Sequence, residues 1–325
     1  MLNIKTGLKY GVFSAVIIAN AFCIANAGDA PSKSEVLKII KKIDGKYNQA
    51  TELDKYINDV SPIFVEYIGK HPEDHTRCPV LLKKLADYKV ESAIPAIMQF
   101  FTRNYSSVDV AEDIDFLKPY GEKLVSHMIE FLTVPEVRNS QNDKARLRAL
   151  QFLQDNPSKM AIPVELSYLE DKSEFVGYAA AIALGNIKDK TVIDKLLDIF
   201  HGEHPQLVRI GAAEALGMLG KSDGFEFCQT IAGNKNSGWR CAAIEAIGKI
   251  EHPKRMQLVM SALRDNWDMG GKCSVEVLTD IGTKAEIPAL EEYLKSISKS
   301  DPPWIKTKLE DAVKTINGRE TKKIN

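Results

Sequence analysis

Two short clusters of histidine and acidic residues contain side chains suited to metal chemistry. The first is segment 70–78, with the sequence KHPEDHTRC, and the second is segment 201–204, HGEH. Imidazole, carboxylate and thiolate groups are ligands for Zn²⁺ and related ions. However, Pro72 interrupts the helical spacing of His71 and His75, and neither segment has a paired ligand motif. We therefore interpret both clusters as solvated loop residues and expect no metal and no other cofactor.

The tryptophans are the candidate partner-binding residues: Trp239, Trp267 and Trp304. Large aromatic side chains dominate the energetics of protein interfaces. All three fall near the predicted entry to the first helix of a repeat unit described below, so stacked units would place them along one edge. The alternative is that each indole fills the gap between neighbouring units. Solvent exposure of the indoles separates the two interpretations.

We identify no catalytic residues. The chain contains neither a phosphate-binding loop nor the H-E-x-x-H helix of zinc peptidases. Its acidic pairs, such as Glu291 and Glu292, fall on helix faces that we expect to be solvated. The sequence therefore predicts a protein that is not an enzyme.

Residues 1–27 have the three parts of a secretory signal peptide. Two lysines precede an apolar stretch at 11–24 that is too short to span a bilayer comfortably, and the small-x-small triplet ANA follows. We predict cleavage after Ala27 and a periplasmic or secreted protein. An uncleaved anchor and lipid attachment at Cys23 are the alternatives. No second apolar stretch of membrane length follows, so we expect no integral membrane span after cleavage.

Four cysteines follow the cleavage site: Cys78, Cys228, Cys241 and Cys273. An exported chain permits disulfides, and four cysteines allow three complete pairings that sequence cannot distinguish. Cys241 stands beside two alanines on a helix face that we expect to be inside, where a free cysteine behaves as a small hydrophobe. We therefore favour free thiols, with a pairing among the last three cysteines as the alternative.

The overall charge excludes one class of partner. Without the two lysines of the signal segment, the chain has 41 basic and 44 acidic side chains, a formal net charge of −3. Binding to nucleic acid depends on a basic surface that neutralises phosphates. We therefore expect no nucleic-acid partner.

A short phrase that recurs at intervals of 31 to 36 residues indicates the architecture. The clear copies are at 184–187, 216–220, 247–250 and 278–282, and fainter copies are at 82–86, 114–118, 150–154 and 313–317. Two positions of the phrase are aliphatic in all eight copies. We call the residue directly after the first of these two positions the register residue; it is residue 217 in the second clear copy. A period of this length is typical of stacked two-helix repeats.

The unit at 208–227 shows the physical basis of this prediction. Apolar and small residues recur at three-residue steps, which gives a first helix a buried stripe. Gly217 allows the next helix to approach the backbone, and Gly220 ends the helix in a left-handed conformation. Proline opens the second helix of other units at Pro95, Pro163 and Pro288. The sequence predicts an all-α fold, an α-solenoid of antiparallel helix pairs.

We divide the chain on the strength of this pattern. Residues 28–70 are predicted as an N-terminal helical cap that begins with a capping box at Ser32 and Glu35. Residues 71–132 are predicted as degenerate helix-pair repeats, residues 133–143 as a polar loop or hinge, and residues 144–325 as the regular repeat array.

The phrase V-R-x-x-A-A-x-A-L-G at 208–217, echoed at 239–248, resembles the HEAT-repeat family. More narrowly, it resembles the short HEAT-like repeats first associated with phycobilisome lyases. The resemblance covers about residues 176–295 and implies an α-solenoid whose concave face commonly binds other proteins. The family often has an arginine early in the first helix, which Arg209 and Arg240 match. The resemblance implies that these arginines join carboxylates or carbonyls between units.

These observations predict a non-enzymatic scaffold that binds a protein or peptide through its solenoid surface. The alternative is a lyase-like or enzyme-accessory protein that holds a small ligand in its groove, and a third possibility is a structural envelope component. A deep pocket lined by convergent histidines and acids would favour the small ligand. A shallow open groove would favour the protein partner.

Overall fold

The computed structural model of the chain describes residues 30–46, 49–106, 113–263, 265, 270–298 and 301–319. The predicted signal peptide and Trp267 lie outside these residues. Helices and loops, with no β-strand, make up the described part, so the predicted all-α fold is confirmed. This part divides into two compact units, of which the first ends at Ala93 and the second begins at Ile94. None of the described helices has the length and apolarity needed to cross a membrane.

The first unit has three α-helices: α1 (Lys33–Ile40), α2 (Ile57–Lys70) and α3 (Cys78–Asp87). Short 3₁₀ segments lie at Thr51–Tyr56, before α2, and at Glu91–Ala93, after α3. The predicted capping box at the start of α1 is confirmed, because the side chains of Ser32 and Glu35 each accept a hydrogen bond from the backbone of the other. Helix α2 packs against both α1 and α3, and the buried side chains of this core are apolar except for Ser61 on α2 and Lys84 on α3.

The second unit contains the remaining described α-helices, in the following order. They are α4 (Ile94–Asn104), α5 (Val125–Thr133), α6 (Pro135–Asn139), α7 (Lys144–Asp155), α8 (Ile162–Tyr168), α9 (Glu174–Ile187), α10 (Ile193–His201), α11 (Gln206–Met218), α12 (Phe225–Gly233), α13 (Arg240–Lys249), α14 (Arg255–Ala262), α15 (Gly271–Ile281), α16 (Ile287–Ser296) and α17 (Pro303–Asn317). A longer 3₁₀ stretch, interrupted at Gly121, lies at Asp113–Leu124, and three-residue 3₁₀ segments lie at Lys159–Ala161 and Lys190–Val192.

The helices from α7 onward form two layers. The first helices of successive pairs (α7, α9, α11, α13, α15 and α17) pack directly against each other in chain order, and we call them the inner helices. The second helices (α8, α10, α12, α14 and α16) pack mainly against inner helices and contact each other little. The core is therefore a continuous seam between the layers, which is the arrangement of an α-solenoid.

Glycines at the register position determine how closely the inner helices approach. A Cβ atom built on Gly217 would lie 3.0 Å from the backbone carbonyl carbon of Lys249, in the next inner helix. A Cβ atom on Gly248 would lie 2.7 Å from a side-chain carbon of Val277. The predicted close approach at Gly217 is thus confirmed. So is the predicted stop at Gly220, which has φ of +83° just after the end of α11.

The stretch 133–143, predicted as a loop or hinge, contains the five-residue helix α6. The fully buried Arg146 of α7 donates hydrogen bonds to carbonyl oxygens of this stretch, at Val137, Ser140 and Asn142. Its guanidinium also pairs with the carboxylate of Asp171. These contacts fix the stretch to the start of the helical array.

Candidate functional site

A row of ionisable side chains lies on one face of the inner helices. Glu214, Glu245 and Glu276 each stand three residues before the register residue of their unit, in α11, α13 and α15 respectively. A solenoid places equivalent positions of successive units side by side. The sequence contained this signal, because the glutamates recur at intervals of 31 residues. Sequence reasoning missed it by treating acidic residues as solvated.

At one end of the row, Glu214 is only 5% exposed. The hydroxyl of Tyr178, on α9, donates a hydrogen bond to its Oε2 atom over 3.2 Å. Burial raises the pKa of Glu214 to about 8, and the neighbouring charge of Glu245 adds to the effect. Burial, followed by the charge of Glu214, likewise raises the pKa of Tyr178. Both groups therefore favour their protonated forms at neutral pH.

In the middle of the row, Cys241 of α13 and Cys273 of α15 form a disulfide, with Cα atoms 5.6 Å apart. The expectation of a free thiol at Cys241 is wrong. Ala243 is buried in the packed layer, as expected, but small residues of this kind also let neighbouring inner helices come close enough for a disulfide to join them. Glu245 follows Cys241 by one helical turn, and the Cys241 Sγ and Glu245 Oε1 atoms are 3.8 Å apart.

At the other end of the row, Glu276 is half-buried and pairs with Lys308 of α17, with N···O of 2.7 Å. Burial raises the pKa of Glu245, and the charge of Glu276 raises it further. A second pair between inner helices joins Lys249 to Asp280 over 3.0 Å. Along three successive repeat units, the row thus changes from the buried, hydrogen-bonded carboxyl of Glu214 to the half-buried ion pair of Glu276.

The two other described cysteines are free and buried. Burial raises the thiol pKa of Cys78 and of Cys228 to about 12 in each case. Since the thiolate is the reactive form, both thiols are poor nucleophiles. Among the described cysteines, thiol–disulfide chemistry is therefore concentrated at the pair between α13 and α15.

The histidine clusters do not assemble as ligand sets in the described structure. In segment 70–78, Asp74 accepts a hydrogen bond from the Tyr67 hydroxyl and pairs with Arg77, while His71 and His75 are exposed. Within the described residues, only one group of three metal-ligating side chains converges: Cys241, Glu245 and Cys273.

The aromatic residues lie where inner helices begin. Trp239 precedes α13, and Trp304 is in the first turn of α17, where its side chain is 49% exposed. Phe175, at the start of α9, is 48% exposed and contacts Trp239 edge to face, with ring centroids 5.7 Å apart. Sequence reasoning missed Phe175, although it precedes its register residue by ten positions, as Trp304 does. We call Phe175, Trp239 and Trp304 the aromatic edge.

The two family-type arginines have the structural role that the resemblance implied. The Nε atom of Arg209 donates a hydrogen bond to the carbonyl oxygen of Phe200, in the preceding helix pair. Arg240 donates in the same way to Ala232, and its guanidinium pairs with Asp265. Each arginine therefore joins the start of an inner helix to the end of the helix before it.

The described surface cavities do not resemble a catalytic pocket. A cavity of about 530 Å³ between α14 and α16 has no histidine in its lining, and one of about 410 Å³ beside α5 has only His127. Segment 220–224, GKSDG, matches the G-x-S-x-G pattern of serine hydrolases. It forms the turn between α11 and α12, whereas the hydrolase motif needs a strand before its serine.

Comparison with known proteins gives a family for the central part of the chain. Residues 132–217 and 205–270 match the model of HEAT repeats. No curated protein matches the chain significantly. Among solved structures, the chain is similar to the crystal structure of an engineered protein at 14% sequence identity, over 93% of this chain and 99% of the other. The TM-score of 0.33 is too low for that likeness to carry an argument.

The matched stretch covers the inner helices α7, α9, α11 and α13, the register glycines and both arginines. The narrower resemblance to phycobilisome-lyase repeats stays a prediction. Between residues 132 and 270, the chain therefore contains stretches that match HEAT repeats.

Proposed function

We propose that this protein is an exported, non-enzymatic scaffold that binds a protein or peptide through its solenoid surface. The observation that carries the proposal is the aromatic edge, because Phe175 and Trp304 each expose about half of a large apolar side chain. Isolated exposed apolar residues are common on protein surfaces, but these occupy corresponding positions of different repeat units. The likeness to HEAT repeats supports the same kind of partner.

The edge-to-face contact between Phe175 and Trp239 pre-organises part of this surface. Phe175 is in α9 and Trp239 directly precedes α13, and these are inner helices of alternate repeat units, so the contact passes the start of α11. Rings that are already held lose little conformational freedom when a partner covers them. A partner that lies along the entries of the inner helices would contact several units at once. Affinity would then depend on the number of units engaged rather than on one deep pocket.

Two independent observations support export. Residues 1–27 have the order of charged, apolar and small residues of a secretory signal, and the disulfide between α13 and α15 suits an oxidising compartment. Expression of the full chain in a bacterial host should yield a mature protein whose first residue is Gly28. N-terminal sequencing of the envelope and cytoplasmic fractions checks this. An intact N-terminus on protein confined to the cytoplasm would contradict the proposal.

Site-specific photo-crosslinking tests the binding surface. A photoreactive phenylalanine analogue at position 175 or 304 should crosslink to the same partner in the native envelope. The matched control is position 160 in a 3₁₀ segment, where Met160 is 67% exposed but lies away from the inner-helix entries. Equal crosslinking at all three positions, or none at positions 175 and 304, would contradict the aromatic edge as the binding surface.

The alternative of a small ligand in the groove has weaker support. A ligand site needs several polar groups that converge in an enclosed apolar pocket. The described cavities are open, and none has more than one histidine in its lining. Co-purification of a small molecule, with no protein crosslinked at the aromatic edge, would reverse this ranking.

A further inference from the structure

Three potential ligand atoms converge where α13 and α15 meet. The Sγ atoms of Cys241 and Cys273 and a carboxylate oxygen of Glu245 all lie within 4.8 Å of one another. Cys241 and Glu245 are four residues apart in α13, which places them on one face of the helix. Cys273 comes from the neighbouring inner helix, so the three atoms approach a common point from two rigid elements.

The donor types select the ion that this point would accept. Two thiolates and one carboxylate are ligands that Zn²⁺ takes in proteins, at distances of about 2.3 Å for sulfur and 2.0–2.2 Å for oxygen. The disulfide removes both sulfurs from this role, because neither is then a thiolate. After reduction, the three ligand atoms start within 4.8 Å of one another, which is close to the separation that ligands of one Zn²⁺ ion have.

We propose that reduction of the Cys241–Cys273 disulfide creates a Zn²⁺ site formed by these two thiolates and the carboxylate of Glu245. The seam between α13 and α15 then has two alternative links, a disulfide when oxidised and a metal ion when reduced. In the reducing step, two external thiols form a disulfide and transfer two electrons and two protons to the bridge. Binding of Zn²⁺ then releases the two thiol protons, so the reduced chain binds the metal in exchange for protons.

The surroundings are compatible with a bound cation. Glu276, one turn after Cys273 on α15, places a negative charge near Glu245, where Lys249 and Lys272 place positive charges. Cys241 is partly exposed to solvent, which gives the ion a route of entry, whereas Cys273 is buried. The fourth coordination position would be filled by water, as it is in zinc sites with three protein ligands.

Metal titration of the reduced and oxidised chain tests the proposal. The full chain is reduced with dithiothreitol, freed of reductant under anaerobic conditions, and titrated with Zn²⁺ against a chromogenic chelator. The reduced chain should bind one Zn²⁺, and the oxidised chain should bind at least 100-fold more weakly. Co²⁺ in place of Zn²⁺ should give a thiolate-to-metal charge-transfer band only in the reduced chain. Equal affinity of the two forms would overturn the proposal.

Variants assign the ligands. Glu245→Gln should weaken Zn²⁺ binding by about 10-fold or more, since even supporting groups of metal sites have effects of this size. Glu251→Gln, just after the end of the same helix and exposed, is the matched control and should bind as the wild type does. Cys78→Ser/Cys228→Ser should retain the site, and Cys241→Ser should lose the cobalt band. Unchanged Zn²⁺ affinity in Glu245→Gln would refute a thiolate–carboxylate zinc site. So would a reduced chain that binds Cu⁺ but does not bind Zn²⁺.

Discussion

At the scale of single residues, Glu165 is the least well accommodated charge in the described structure. Its side chain is 0% exposed, and neither carboxylate oxygen has a hydrogen-bond partner. Burial alone raises the pKa of Glu165 to about 8, from an ordinary value of 4.5. The folded chain therefore keeps a proton at pH values where the unfolded chain has released it. Burial at this position of α8 therefore favours the neutral form of Glu165 over the ionised form.

This difference gives stability a specific pH dependence. Between about pH 4.5 and pH 8 the folded state binds more protons at Glu165, so its contribution to the free energy of unfolding should fall as pH rises. Glu165→Gln removes the titration and should flatten the pH profile, with the largest gain over the wild type near pH 8. Chemical denaturation at pH 5 and pH 8 measures the effect. Glu130→Gln, at an exposed position of α5, should leave the profile unchanged.

The role of a residue could be predicted from the sequence only where the repeat places the same neighbouring groups around that position in each unit. The arginines of the first helices were assigned correctly, because the same position in the unit faces the same carbonyl each time. Glu165 could not be found, because a single glutamate in a helix is ordinarily solvated. Its burial depends on the side chains of other helices, which no local pattern records. The disulfide between Cys241 and Cys273 was left open for the same reason.

At the scale of helices, the register glycines limit the distance between neighbouring units. Gly217→Ala would place a methyl group 2.7 Å from a side-chain carbon of Ile250 and 3.0 Å from backbone atoms of Lys249. Because the backbone of α13 cannot yield as a side chain does, we expect destabilisation by about 1–3 kcal/mol. Urea denaturation of the variant measures the change.

Gly233→Ala is the matched control. Gly233 is the last residue of α12, and a Cβ atom there would have no atom within 4 Å. Alanine also favours the helix over glycine by up to about 1 kcal/mol, so this variant should be as stable as the wild type or slightly more stable. A larger loss of stability at Gly233 than at Gly217 would contradict the role given to the register position.

Helix boundaries followed well from sequence where capping and turn chemistry were explicit. The prolines at 95, 163 and 288 do stand in the first turns of α4, α8 and α16. Helix α6 was missed because the surrounding segment is polar and short, so it has no apolar period of its own. Val137 is the one buried side chain of α6, and the residues around it show no apolar periodicity that would have predicted a helix.

At the scale of the molecule, one covalent bond links two adjacent units. Cys241 and Cys273 are 32 residues apart in sequence, about one repeat. Closing a loop of this length in the unfolded chain stabilises the folded state by about 3–4 kcal/mol in the chain-entropy account. Reduction should therefore lower the urea midpoint of the wild type. The Cys241→Ser/Cys273→Ser variant should unfold at the same urea concentration with and without reductant.

The architecture was predictable because every repeat unit has an apolar helical stripe that can be buried only against a neighbouring unit. Eight copies of one phrase gave the period, and the period gave the stacked helix pairs. The aromatic edge was only partly predictable. Trp239 and Trp304 were found by residue type, but their contribution to a common surface depends on how the inner helices pack.

The ring contact between Phe175 and Trp239 has a practical consequence. The contact joins alternate repeat units, so the distance between the two ring centroids depends on how α9, α11 and α13 stack rather than on the packing of any one helix pair. A change in the spacing of α9 and α13 would change the distance between the rings and the surroundings of the Trp239 indole. The fluorescence emission of Trp239 should therefore change when a bound partner alters the stacking of these helices.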